Sequence, residues 1–133
     1  MRVFFDTNVL GSAFLARGLC ADLLRLVLSE HTLVCSEVVL AELRDVLSRK
    51  GRVPLNQIGA IEALLRDQPI APRPARILEL GLVDADDEWV LASAVLAEAD
   101  LFVSGDQGVL ACTTPPLPLL NPRGCWEQLR STG

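Results

Sequence analysis

Val3-Phe4-Phe5-Asp6-Thr7-Asn8 passes from an unbroken apolar run straight into three polar residues. A run without polar alternation is expected of a central strand covered on both faces. Asp6-Thr7-Asn8 is helix-starting chemistry. The pattern returns late in the chain, where Leu101-Phe102-Val103-Ser104 ends in Gly105-Asp106. Between the two, helical stretches are expected at about Val9–Ala16 and Ala21–Leu28, broken near Gly18, then a short strand over His31–Cys35. Ser36 is placed to cap an amphipathic helix to about Arg49, with Val39, Leu43, Val46 and Leu47 on one face. Gly51 stops it, and Pro54 opens another helix to about Asp67. Pro69, Pro72 and Pro74 force an irregular or short extended connection.

Asp84–Glu88 begins the next helix, with Val90, Leu91, Ala94 and Val95 at core spacing and acids at its positive end. After the Leu101–Ser104 strand come a helical turn, the Pro115–Pro118 segment, a last strand at Leu119-Leu120, and a helix from Arg123 to Arg130. Strands alternating with helices predict an α/β fold: a three-layer α/β/α sandwich around a central parallel sheet of four to five strands. With 133 residues, half of them apolar, the chain is expected to form one domain over 1–133.

The chemistry expected of the chain follows from that topology. Right-handed crossovers align the carboxyl ends of the strands along one edge, and ligands of open α/β sheets bind beyond it. Asp6 and Asp106 each follow a strand directly. Glu42 and Asp87 sit in the N-terminal halves of helices that reach the same edge. An isolated acid after a strand is ordinarily a cap or a solvated charge. Glu42, however, has Val38, Val39, Asp45 and Val46 at helical spacing and Asp87 has Val90 and Leu91, so neither finds a cation on its own helix. Two unit charges ~5 Å apart repel by about 3 kcal/mol at an effective dielectric of ~20. Converging acids must therefore take up protons or a cation, and an oxygen-only donor set selects Mg²⁺ or Mn²⁺. A hard cation held by carboxylates suits phosphodiester hydrolysis.

Composition narrows the partners. The net charge of −5 argues against nucleic acid at first sight. The distribution answers it: eleven of the twelve basic residues are Arg, and Arg44, Arg49, Lys50 and Arg52 crowd one stretch that could track an RNA backbone or simply be a solvated helix end. Cys20, Cys35, Cys112 and Cys125 are scattered among apolar residues, which predicts reduced, mostly buried thiols and no zinc site. The N-terminal apolar run is too short for a signal peptide and no uncharged stretch approaches ~20 residues, so a cytoplasmic location off the membrane is expected. Trp89 and Trp126 read as core or interface residues, and the many aliphatics predict an apolar surface for a second copy, a homodimer, or for a peptide partner.

Four segments, in order and over nearly the whole chain, resemble the PIN-domain nucleases. They are F-D-T-N-V-L (Phe5–Leu10), S-E-V-V-L-A-E-L-R-D-V-L (Ser36–Leu47), D-A-D-D-E-W-V-L-A-S-A (Asp84–Ala94) and D-L-F-V-S-G-D-Q-G-V-L (Asp100–Leu110). The resemblance is greatest to the small prokaryotic members that act as toxins of toxin–antitoxin pairs (VapC-like). It implies a Mg²⁺- or Mn²⁺-dependent ribonuclease whose metal-binding catalytic acids are Asp6, Glu42, Asp87 and Asp106. Asn8 and Ser104 fall on the supporting polar positions, with Asp86 or Asp84 able to share the role of Asp87. RNA is then the substrate and an antitoxin the protein partner. One departure stands out: many relatives carry a further Asp two residues after the G-D pair, where this chain has Gly108.

Other chemistries fit less well. A haloacid-dehalogenase-like phosphatase needs a second Asp where Asn8 stands, and a receiver domain needs a late Lys, whereas Lys50 is the only one. Hydrolysis with a His base would rest on His31 alone, at a helix-to-strand junction. The alternative that remains is a catalytically silent PIN fold that binds RNA or protein.

Overall fold

The computed structural model describes residues 1–82 and 84–132. Its elements run β1 (Arg2–Phe5), α1 (Thr7–Leu15), α2 (Leu19–Glu30), β2 (Thr32–Ser36), α3 (Glu37–Arg49), α4 (Leu55–Arg66), β3 (Ile70–Ala71), α5 (Ala85–Leu96), β4 (Leu101–Val103), α6 (Gln107–Leu110), β5 (Leu119–Leu120) and α7 (Pro122–Thr132). The five strands form one parallel sheet in the order β3-β2-β1-β4-β5. The expected α/β architecture is present, and the proline-rich connection after α4 supplies the short strand β3.

β1 is central because its apolar run can be buried from both sides. Val3, Phe4 and Phe5 are each at most 1% exposed, as are Leu101, Phe102 and Val103 of β4. Phe4 stacks on Phe102 with ring centroids 5.5 Å apart. Each such side chain contributes about 1.5–3 kcal/mol through burial, so the pairing of these two strands is strongly specified.

From β1 the chain moves outward through β2 to β3, then returns across the sheet to β4 and β5 on the other side. The reversal opens a crevice at the carboxyl ends of β1 and β4, the usual ligand position in such sheets. Phe5 is in register with Val103, so the residues after each strand, Asp6 and Ser104, share one level.

α1 and α3 leave this edge side by side. Thr7 meets Glu42, Gly11 packs at Leu43 and Val46, and Leu15 closes on Gly51 just past α3, a spacing of four along α1. α1 begins at Thr7 and α2 at Leu19, each two residues earlier than the sequence reading placed them, because Asp6 caps the first and Gly18 adopts φ 145° before the second. Ser36 caps α3 as expected, accepting from Val39 N at 3.2 Å.

One core assignment is corrected. Val95 is 43% exposed, because the buried stripe of α5 runs Val90, Leu91, Ala94 and then Ala97, one step around the helix from Val95. Val46 is only partly buried, against Gly11. Cys35 and Cys125 are buried and Cys20 and Cys112 half-buried, all free. Burial pushes the Cys35 thiol up to about 12 and the Cys125 thiol to about 11. Trp89 and Trp126 pack against the core, with Arg130 over the Trp126 ring. No helix among the described residues is long and apolar enough to cross a membrane.

Candidate active site

Three helix starts meet at the carboxyl edge, and each brings an acid. Asp6 is the N-cap of α1: its Oδ1 accepts from Thr7 N at 2.8 Å, and its own N–H reaches the Val103 carbonyl at 2.9 Å. The Ser104 hydroxyl donates to Asp6 Oδ2 at 2.8 Å and accepts from Asp106 N at 3.0 Å. A buried serine thereby ties the ends of β1 and β4 together. Asp106 caps α6, its Oδ1 accepting from Gly108 N at 2.7 Å and Val109 N at 3.3 Å. Asp84 caps α5 through Asp86 N at 2.9 Å and sets Asp87 in the first turn.

Glu42 arrives differently. It lies inside α3, where no cap or helix end explains a half-buried carboxylate, and accepts from the Thr7 hydroxyl at 2.5 Å. Thr7, 5% exposed, is a site residue the sequence reading passed over. The available signal was its place between Asp6 and Asn8.

Electrostatics confirm that the acids share one environment. Burial raises the Asp6 pKa; the Ser104 hydroxyl and Thr7 N–H oppose the rise, and the charge of Asp106 adds to it. Burial also raises Glu42, with the Thr7 hydroxyl opposing and Asp6, Asp86 and Asp84 reinforcing. Asp87 is pushed up to about 7, first by burial and then by Asp6, Asp84, Asp106 and Glu42. No cation enters any of these balances. Asp6, Glu42, Asp87 and Asp106 therefore sit close enough for repulsion to be felt among them, and Asp84 joins them. Asp86 is exposed and acts on Glu42 from the rim. Asn8 is exposed and lines a cleft with Ser12 and Asp106.

The donor set, carboxylates and hydroxyls without sulfur or imidazole, has the chemistry of a hard divalent cation site. Its arrangement is open. Among the described residues no three His, Cys, Asp or Glu side chains are grouped closely enough to hold an ion. The hydrogen bonds explain why: Glu42 is turned to Thr7 and one oxygen of Asp106 caps α6. The chemistry fits a cation, and the side chains are held by local partners instead.

The basic stretch is divided. Arg44 pairs with Glu62 of α4 at 2.9 Å and Arg49 with Asp45 at 2.9 Å, whereas Lys50 and Arg52 are exposed at and just past the end of α3. His31 follows the last residue of α2, its N–H on the Val27 carbonyl, away from the site.

In fold, the chain is similar to VapBC2 from Rickettsia felis bound to a DNA fragment from their promoter, with a TM-score of 0.66 at 19% identity, covering 91% of this chain and 98% of that one. VapBC-1 from nontypeable Haemophilus influenzae gives 0.65 at 21% identity over 92% and 99% of the two chains. FitAcB from Neisseria gonorrhoeae gives 0.61 at 18% identity over 91% and 98%. No curated protein matches the chain in sequence. The family model for the PIN domain matches residues 2–108, a span holding Asp6, Glu42, Asp87 and Asp106. With the shared fold and that match, the chain belongs to the PIN-domain family.

Proposed function

We propose that this chain is a metal-dependent endoribonuclease, the toxin of a toxin–antitoxin pair. The observation that carries the reading is the uncompensated set of acids at the sheet reversal, with the Asp87 pKa pushed up to about 7 first by burial and then by the neighbouring acids. Elsewhere in the molecule the acids that fasten one helix to another are paired, Glu37 with Arg66 and Glu62 with Arg44. Asp6, Glu42, Asp87 and Asp106 would hold the ion. Ser104 orients Asp6 and fixes the backbone of Asp106, and Thr7 orients Glu42. When bound, Mg²⁺ or Mn²⁺ supplies polarisation of the phosphodiester and activation of water.

RNA as the substrate is supported by the resemblance of the site segments, with Lys50 and Arg52 as the exposed cations for its backbone and Arg44 and Arg49 reaching it only by giving up their acids. An antitoxin chain as partner is supported by the resemblance to toxins of toxin–antitoxin pairs and by the likeness in fold to VapBC2, VapBC-1 and FitAcB. Exposed apolar side chains, Leu55 at 77% and Leu64, Val95 and Leu96 above 40%, give such a partner or a second copy apolar area to cover.

The test is cleavage of generic RNA with Mn²⁺, Mg²⁺ or a chelator, beside Asp6→Asn. Metal-dependent cleavage lost in the variant is expected; equal cleavage by both proteins defeats the carboxylate mechanism. A second reading, a silent PIN module, is favoured by the open arrangement of the acids. It predicts no heat of Mn²⁺ binding in calorimetry and no cleavage.

A further inference from the structure

Asp106 stands between two clefts. The larger, of about 500 Å³, is lined by Asp84, Asp87 and Asp106 and otherwise by neutral residues: Leu80, Gly81, Leu82, Gly108, Ala111 and Thr113 among them. The smaller, on the other flank of Asp106, is lined by Asn8, Val9, Ser12 and Cys20. A polynucleotide laid across the acids would thus have space on both sides of the phosphate it presents to them.

We infer that the larger cleft receives the nucleobase next to the cleaved phosphate and sets base preference there. The inference rests on the nuclease reading above. Charge decides which part of an RNA can enter. The cleft has no Lys, Arg or His in its lining and three carboxylic acids, so a phosphate is repelled from it. An uncharged ring is not. The volume lies within the ~300–1,000 Å³ range of small-ligand clefts. Aliphatic walls can cover a ring's faces, and the Thr113 hydroxyl with nearby backbone groups can meet its edge.

Two local features shape the cleft. Glu88, 8% exposed, accepts from Leu80 N at 2.7 Å and so pins the wall around Leu80–Leu82 to α5. Gly108 keeps the opposite wall low and uncharged. A Cβ there would come within 3.1 Å of Asp106 Oδ1, and a carboxylate at this place would add a fourth acid to the lining. Gly108 leaves this wall neutral, which is the condition a base needs.

The experiment has two arms on the full-length chain. First, neutral adenosine, guanosine, cytidine and uridine are titrated into metal-free protein and followed by amide NMR. Shifts gathered at Leu80–Leu82, Gly108 and Ala111–Thr113, with one nucleoside bound at least several-fold more tightly than the others, are expected. Ala111→Trp, at an exposed position, fills the cleft and should weaken that binding at least tenfold without changing thermal unfolding. Second, cleavage sites are mapped on random-sequence RNA, where wild type should favour one base beside the cut and Ala111→Trp should erase that bias.

Absence of nucleoside shifts in the cleft overturns the inference, as does a base bias unchanged by Ala111→Trp. The two readings fail separately. Nucleoside binding needs neither metal nor cleavage, so a protein inert on RNA that still binds nucleosides here loses the nuclease reading and keeps the base site. Cleavage with no base bias loses only the base site.

Discussion

Helix α3 carries two glutamates five positions apart in opposite electrical situations. Glu37, at its start, is held below the ordinary carboxylate value by its hydrogen bonds with Arg66. Glu42 is raised by burial, with only a threonine hydroxyl against it and acids from two other elements adding to the rise. The first belongs to a ladder, Arg44–Glu62–Arg66–Glu37, that fastens α4 to α3. The second belongs to a centre that has no cation of its own. Stability and function divide the same residue type on one helix, and what separates them is whether the fold supplies the opposite charge. At the amino edge of the sheet, Arg2 donates from its guanidinium to the Glu98 and Ala97 carbonyls and from its backbone N–H to the Asp100 carboxylate.

The contrast is best broken by substitution. Asp6→Asn keeps the side chain's shape and removes a charge from the deficient centre. RNA cleavage measured with Mn²⁺ should fall by more than about 100-fold, beyond what loss of a mere supporting partner costs. Glu37→Gln, in the balanced ladder, should leave turnover unchanged. Next in size is Ser104→Ala, which removes the hydroxyl orienting Asp6 while preserving every carboxylate. Mn²⁺ affinity by calorimetry should drop about 10–100-fold, and unchanged affinity would show that Ser104 serves only the junction of β1 and β4.

A smaller effect sharpens the comparison through pH. Asp87 has a folded pKa of about 7 against an ordinary 3.8. A raised acid costs the fold nothing below 3.8; the penalty grows between the two values and is complete above 7. Metal-free Asp87→Asn should therefore melt a few degrees above wild type at pH 8 and nearly with it at pH 4, by calorimetric scan. Saturating Mn²⁺ should reverse the order at pH 8 by stabilising wild type more. Glu37 has the opposite sign: its contribution is full above 4.5 and fades as pH falls through its lowered value. Glu37→Gln should thus lower the urea midpoint slightly at pH 7, and less in 1 M NaCl, since exposed pairs are screened.

What could be read from the residues in order was whatever depends on neighbours along the chain. Unbroken runs such as Val3–Phe5 and Leu101–Val103 can only be buried from both sides, which specified central strands and, with the helices between them, a parallel sheet. Ser36 and Asp84 announced helix starts because capping is a contact over two or three residues. The common edge of Asp6 and Asp106 was legible as well, since strand ends in such a sheet share an edge whatever the details.

Tertiary structure decided the rest. Thr7 beside Glu42, Ser104 between Asp6 and Asp106, and Glu88 on the Leu80 amide are each set by which elements lie next to one another. Val95 looked like core by periodicity and is exposed because the packed face of α5 turned to Ala97. Most consequential, Arg44 was taken by Glu62 while no cation was brought to Asp87. Composition gives a number of charges; only packing determines which of them are neutralised, because Coulomb energy depends on distances in space that the order of residues does not contain.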